Sequence, residues 1–166
     1  MSGFFVKLAI LFFGMILITS LFITPYLNQV SSVQRKSEVK INNQSVVVEV
    51  VSSAKDITRG LGGREGIGVN EGMLFLFDRP GNYSFWMKDM RFPIDIVWIA
   101  HGQVVGFEEN VDPQIGAKPE DLKVYNPLEP VDRVLELHAG RVGLLKTVVG
   151  DYVKVRPLIS AKDLFQ

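Results

Sequence analysis

The sequence predicts a mainly β domain, a compact barrel-like or sandwich fold with one or two short helices, preceded by an N-terminal transmembrane helix. Three observations carry that expectation. Runs rich in β-branched and aromatic residues recur through the chain, at Val46–Val51, Met73–Phe77, Ile94–Ala100, Val131–Leu137 and Tyr152–Val155. Helical signals are few and brief. Phe4 to Ile23 is apolar apart from Lys7 and a few small or hydroxyl residues, about the ~20 residues that cross a bilayer.

Lys7 and the terminal amine precede the most apolar part of that segment, and no further positive charge follows until Arg35 and Lys36. The positive-inside rule then leaves the N-terminus in the cytoplasm and the domain outside, as a single-pass membrane protein. The rival is a cleaved signal and a secreted product. No small-x-small cleavage pair follows the apolar run directly, and Val30-Ser31-Ser32 is a distant candidate, which favours the anchor. Residues 1–27 are therefore the anchor or signal. Residues 28–38, polar and unpatterned, read as a tether. The domain is expected over 39–158, with a loose tail at 159–166.

Within the domain, Val46–Val51 suits a buried strand. Ser53 reads as a helix N-cap with Asp56 in the capping-box position, and the helix runs from Ala54 to about Leu61, where Gly60, Gly62 and Gly63 end it. Met73–Phe77 is a continuous apolar run, a second buried strand. Asp78-Arg79-Pro80-Gly81-Asn82 reads as a turn. Phe85 to Ile99 holds both tryptophans and breaks at Asp89–Pro93 into two strands. In the second, Ile94, Ile96 and Trp98 alternate with Asp95, Val97 and Ile99. His101-Gly102 resembles a two-residue hairpin turn into Gln103–Glu108. Glu109 to Pro130, with four prolines, reads as a long irregular loop. In the strand Val131–Leu137, Val131, Arg133, Leu135 and Leu137 face away from Asp132, Val134, Glu136 and His138. A short helix through Gly140–Lys146 and a last strand at Tyr152–Val155 complete the domain.

Composition excludes several classes. Eighteen basic and eighteen acidic residues balance, so no electrostatic footprint for nucleic acid exists. The absence of cysteine excludes disulfides, thiolate metal sites, a cysteine nucleophile and an acylated lipoprotein cysteine, and two histidines are too few for most histidine metal sites. No P-loop, nucleophile elbow or zincin motif is present, and Glu108, Glu109 and Asp112 lack calcium-loop spacing. No metal and no cofactor are expected.

Arg59-Gly60-Leu61-x-x-Arg64, Glu71-Gly72-Met73-Leu74-Phe75, Phe85-Trp86-Met87-Lys88, Pro93-Ile94-Asp95, Leu135-Glu136-Leu137-x-Ala139-Gly140 and Gly150-Asp151, in that order, resemble the domain of unknown function 192 family over about Val46 to Val155. The resemblance implies a small, mostly β domain, often behind a signal peptide or anchor, with no established activity. The chain departs from the family pattern at Asp89 and Met90, where relatives often carry asparagine and threonine, and at His138, where asparagine is common.

The candidate site residues are Arg59, Arg64, Trp86, Lys88 and Asp95. The arginines flank glycines whose backbone N–H groups can approach an anion, although helix capping also explains the glycines. Asp95, embedded among apolar residues, needs a partner: a salt bridge, backbone amides, or a ligand above it. Trp86, Met87, Lys88 and Asp95 would form an aromatic floor with opposed charges, suited to a small molecule, carbohydrate or peptide, unless these residues simply pack the core. His138, with Glu136 to orient it, is a weaker general-base candidate. The leading expectation is an anchored extracytoplasmic domain that binds a small molecule or envelope polymer. The alternatives are a hydrolase or transferase using Asp95 as acid or base, and an assembly or scaffold module.

Overall fold

The computed structural model describes residues 35–158; the expected membrane segment at 4–23, most of the tether and the tail at 159–166 lie outside them. No helix among the described residues is long and apolar enough to cross a membrane. The fold is mainly β, a curled half-barrel sheet with two short helices.

Strand β1 (Arg35–Ile41) turns at Asn42-Asn43 into β2 (Gln44–Val51), and both turn residues take positive φ, as a tight two-residue hairpin requires. The tether was expected to run to residue 38, and the structure corrects this. Ser37, Val39 and Ile41 alternate inward while Lys36 and Lys40 stay exposed, so the outward charges disguised a strand. Helix α1 (Ala54–Arg59) starts at Ser53, whose hydroxyl accepts from the Asp56 amide at 3.2 Å, and stops at Gly60 with φ 51°. This helix and the glycine loop carry the chain across to β3 (Glu71–Gly81), which pairs parallel with β2. The expected turn at Asp78–Asn82 is instead the irregular end of β3, where the register shifts between Leu76 and Gly81. Pro80 cannot donate to the ladder, so regular pairing lapses there.

Then come β4 (Phe85–Trp86), the corner at Asp89 with φ 57°, and β5 (Ile94–Ala100). His101-Gly102 makes the expected hairpin turn into β6 (Gln103–Val111). The long loop contains one short strand, β7 (Val124–Tyr125), which pairs with β4. Strand β8 (Val131–His138), helix α2 (Arg141–Leu145) and β9 (Lys154–Pro157) follow.

The main sheet has the order β6-β5-β8-β3-β2-β1-β9. It curls so that Gly150–Val153, just before β9, bonds back to the start of β6: Gly150 N donates to Val104 O at 2.8 Å and Val153 N to Gly102 O at 2.9 Å. Two cores result, one on each face. The inner core joins Val39, Val48, Leu74, Val97, Leu135 and Val153, and Val142 and Leu145 of α2 plug it. The outer core joins Phe75, Ile96, Trp98 and Val134 to Leu61, Phe85, Met87 and Tyr125 from the loops and β4–β7. Covering both faces explains why every residue of β5 is buried.

Candidate functional site

On the outer face, α1, the glycine loop and the β4 region do not meet completely. A cleft of about 210 Å³ remains. Its walls are apolar and aromatic: Phe75 and Phe85 meet edge to face at 5.0 Å, and Phe77 stacks on Tyr83 at 3.5 Å. Tyr83 is pinned by its hydroxyl, which donates to Arg79 O at 2.7 Å. Half-exposed Trp86 marks the mouth, and Arg59 and Lys88, both with exposed side chains, also line the cleft.

Among the described residues, the only carboxylate lining this cleft is Glu136, on β8 between Met73 and Ile96 of the neighbouring strands. It is 5% exposed, and its Oε2 has no hydrogen-bond partner. Burial pushes its pKa up from 4.5 to about 8, against an opposing pull from the Arg64 charge. At neutral pH the group is therefore a carboxylic acid, able to donate as well as accept. A buried, orphaned polar atom beside an open cleft marks a place where a ligand group fits. The sequence offered one signal for it: Glu136 shares the face of Val134, yet that alternation equally suited a solvated residue.

Of the five residues singled out from the sequence, the structure brings together Arg59, Trp86 and Lys88. Arg64 and Asp95 are elsewhere. Arg64 forms a two-pronged ion pair with Glu49, at 2.8 and 2.6 Å, beyond the cleft wall. That bond holds the Glu49 carboxyl below its usual range and raises Arg64. Asp95 lies on the opposite face of the sheet from Glu136 and is 0% exposed. Its Oδ1 accepts from Asn110 N at 2.8 Å and Gly140 N at 3.0 Å, and its Oδ2 from Val142 N at 2.7 Å. The expectation of Asp95 as a pocket-floor anchor or catalytic acid is thus corrected in favour of the backbone-amide alternative. It caps α2 from a distant strand, because Gly140 supplies no capping side chain.

The other candidates also separate. The His138 Nδ1 lies 2.9 Å from Ala139 O and is not joined to Glu136. Among the described residues no group of three or more His, Asp or Glu could hold a metal ion. Two of the departures from the family pattern, at Asp89 and Met90, have local explanations. Asp89 occupies a positive-φ position that asparagine and aspartate both tolerate, and Met90 is a buried wall of the cleft.

Beyond the mouth, the cleft shares Thr58, Arg59, Gly62, Lys88 and Met90 with a wider trough that Lys55 and Arg91 also line.

Comparison with known proteins agrees with this architecture. A model of the DUF192 family, described as an uncharacterised ACR, matches residues 37–155. A crystal structure of a candidate transcription regulator from Sinorhizobium meliloti 1021 is 29% identical, with a TM-score of 0.65 over 75% of this chain and 97% of that one. A protein of unknown function from Novosphingobium aromaticivorans DSM 12444 is 26% identical, with a TM-score of 0.62 over 72% of this chain and 83% of that one. No curated protein matches.

Proposed function

Because the chain belongs to the DUF192 family, whose description assigns no activity, we propose from its own geometry that it is a membrane-anchored extracytoplasmic domain that binds a small molecule in the cleft above Glu136. The observation that carries this reading is the unpartnered Oε2 of a buried carboxyl at the floor of an open, aromatic-walled cleft. Leaving such an atom bare costs about 1–3 kcal/mol, which a ligand donor would recover. The cleft volume of about 210 Å³ suits one ring or one short residue, so a polymer could insert only an end group. The balance of acidic and basic residues supports a small ligand over nucleic acid. The apolar run at 4–23 and the charge placement around it support the anchor.

Asp95 is unavailable for acid–base work, since backbone amides occupy both of its oxygens. Glu136, with no second carboxylate in the cleft among the described residues, favours binding over glycosidic chemistry, which uses two. The test is a thermal-shift survey of the full chain with monosaccharides, sugar acids, aromatic acids, short peptides and nucleotides. A shift that Trp86→Ala and Glu136→Leu abolish is expected. No shift with any compound, or a shift indifferent to both changes, would reject the reading.

A further inference from the structure

We infer that the cleft takes a compact, ring-bearing monoanion with a hydroxyl or N–H donor at its far end, the donor meeting Glu136 at the floor and the anionic group meeting Arg59 and Lys88 at the mouth. This rests on the cleft being a binding site and specifies what it binds.

The floor sets the first requirement. Oε2 of Glu136 lacks a donor, and the group is buried among Phe75 and the Gly60 backbone; a Cβ at Gly60 would stand 3.8 Å from Oε2 and 3.5 Å from Phe75. A hydroxyl is the natural complement to a protonated carboxyl, because each can donate to and accept from the other. An ammonium would require Glu136 to ionise in an apolar setting, and would enter past two cations.

The walls set the second requirement. Two aromatic pairs give flat apolar surfaces, and a volume of about 210 Å³ is only somewhat larger than the ~150 Å³ cavity that holds one benzene. One six-membered ring with a substituent at each end fills the cleft, and any second ring would have to lie outside it, in the trough. The mouth sets the third. Arg59 pairs with Asp56 at 3.3 Å and Lys88 with Asp89 at 3.5 Å. Both pairs are exposed and worth little, so both cations can be redirected to a ligand carboxylate or phosphate.

Isothermal titration of the full chain in detergent micelles tests this with para-hydroxybenzoate, benzoate, which lacks the donor, and para-hydroxybenzamide, which lacks the charge. Glucuronate separates a saturated sugar acid from an aromatic one. Para-hydroxybenzoate or glucuronate should bind, and para-hydroxybenzoate about tenfold or more tighter than benzoate or the amide if the aromatic acid is the fit. Glu136→Leu should erase the preference for the hydroxyl, Glu136→Gln should keep it, and Arg59→Ala with Lys88→Ala should erase the preference for the charge. Equal affinity for all probes, with binding still lost in Trp86→Ala, would overturn the ligand class and leave the cleft as a binding site. Binding that Trp86→Ala does not weaken would overturn both. If no probe binds at millimolar concentration, the class fails; the cleft reading then stands or falls on whether other compounds give a Trp86-dependent shift.

Discussion

Two buried carboxyls on opposite faces of one sheet show how little residue type decides. Asp95 is surrounded by backbone donors, and Glu136 by aromatic carbon and one bare oxygen. For Glu136, burial raises the pKa from 4.5 to about 8. Between those values the unfolded chain has released a proton that the folded chain keeps. Stability therefore falls as pH rises through that window. Glu136→Gln should be nearly neutral at pH 4 and more stable than the parent at pH 8, by on the order of 2–4 kcal/mol, in urea unfolding at the two pH values. A gap that does not widen with pH would mean the carboxyl is solvated. Glu49 runs the other way: Arg64 holds its pKa below 4.5, so its contribution is present above that value and fades in acid. For Asp95→Asn, an amide group must face backbone N–H donors, and a loss of about 2–3 kcal/mol is expected by the same unfolding measurement. Unchanged stability would contradict the capping role.

At the scale of elements, Gly72 leaves no room for a side chain where β3 meets β8. A Cβ at Gly72 would lie 2.4 Å from the Glu136 carbonyl oxygen and 3.0 Å from the Leu137 side chain. Gly72→Ala should cost about 1–3 kcal/mol by overpacking and disturb the strand that carries Glu136. A variant with parental melting temperature would show that the strands can separate freely. The boundary of the domain is a second test. β1 pairs with β2 on one side and β9 on the other, and Val39 and Ile41 are core residues. A chain starting at residue 35 should melt cooperatively by circular dichroism, whereas one starting at residue 42 should not.

Legibility at this scale followed local chemistry. The Ser53 cap, the Gly60 stop, the His101-Gly102 turn and the alternation of β5 and β8 were all readable, because each depends on neighbours in the chain. Strand β1 is hidden in the sequence because its outward lysines imitate a solvated tether. The Asp78–Asn82 segment reads as a turn from sequence because Pro and Gly serve a turn and an irregular strand end alike.

At the scale of the whole molecule, the anchor proposal makes a topological prediction. The chain has no cysteine, so a single Ser52→Cys at an exposed position reports alone. A membrane-impermeant maleimide should label it from outside intact cells stripped of any outer barrier. Labelling only after lysis would place the domain in the cytoplasm. The two cores share one sheet, so damage to either should unfold both in a single transition.

By itself the sequence determined the family, the β character, most strand positions and the two faces of β5 and β8. Side-chain period, turn chemistry and capping act over a few residues, so these features are written locally. The tertiary structure alone decided which carboxyl is satisfied. The amides that hold Asp95 come from Asn110, Gly140 and Val142, the aromatic rings around Glu136 from separate strands and loops, and only curling of the sheet brings either set together.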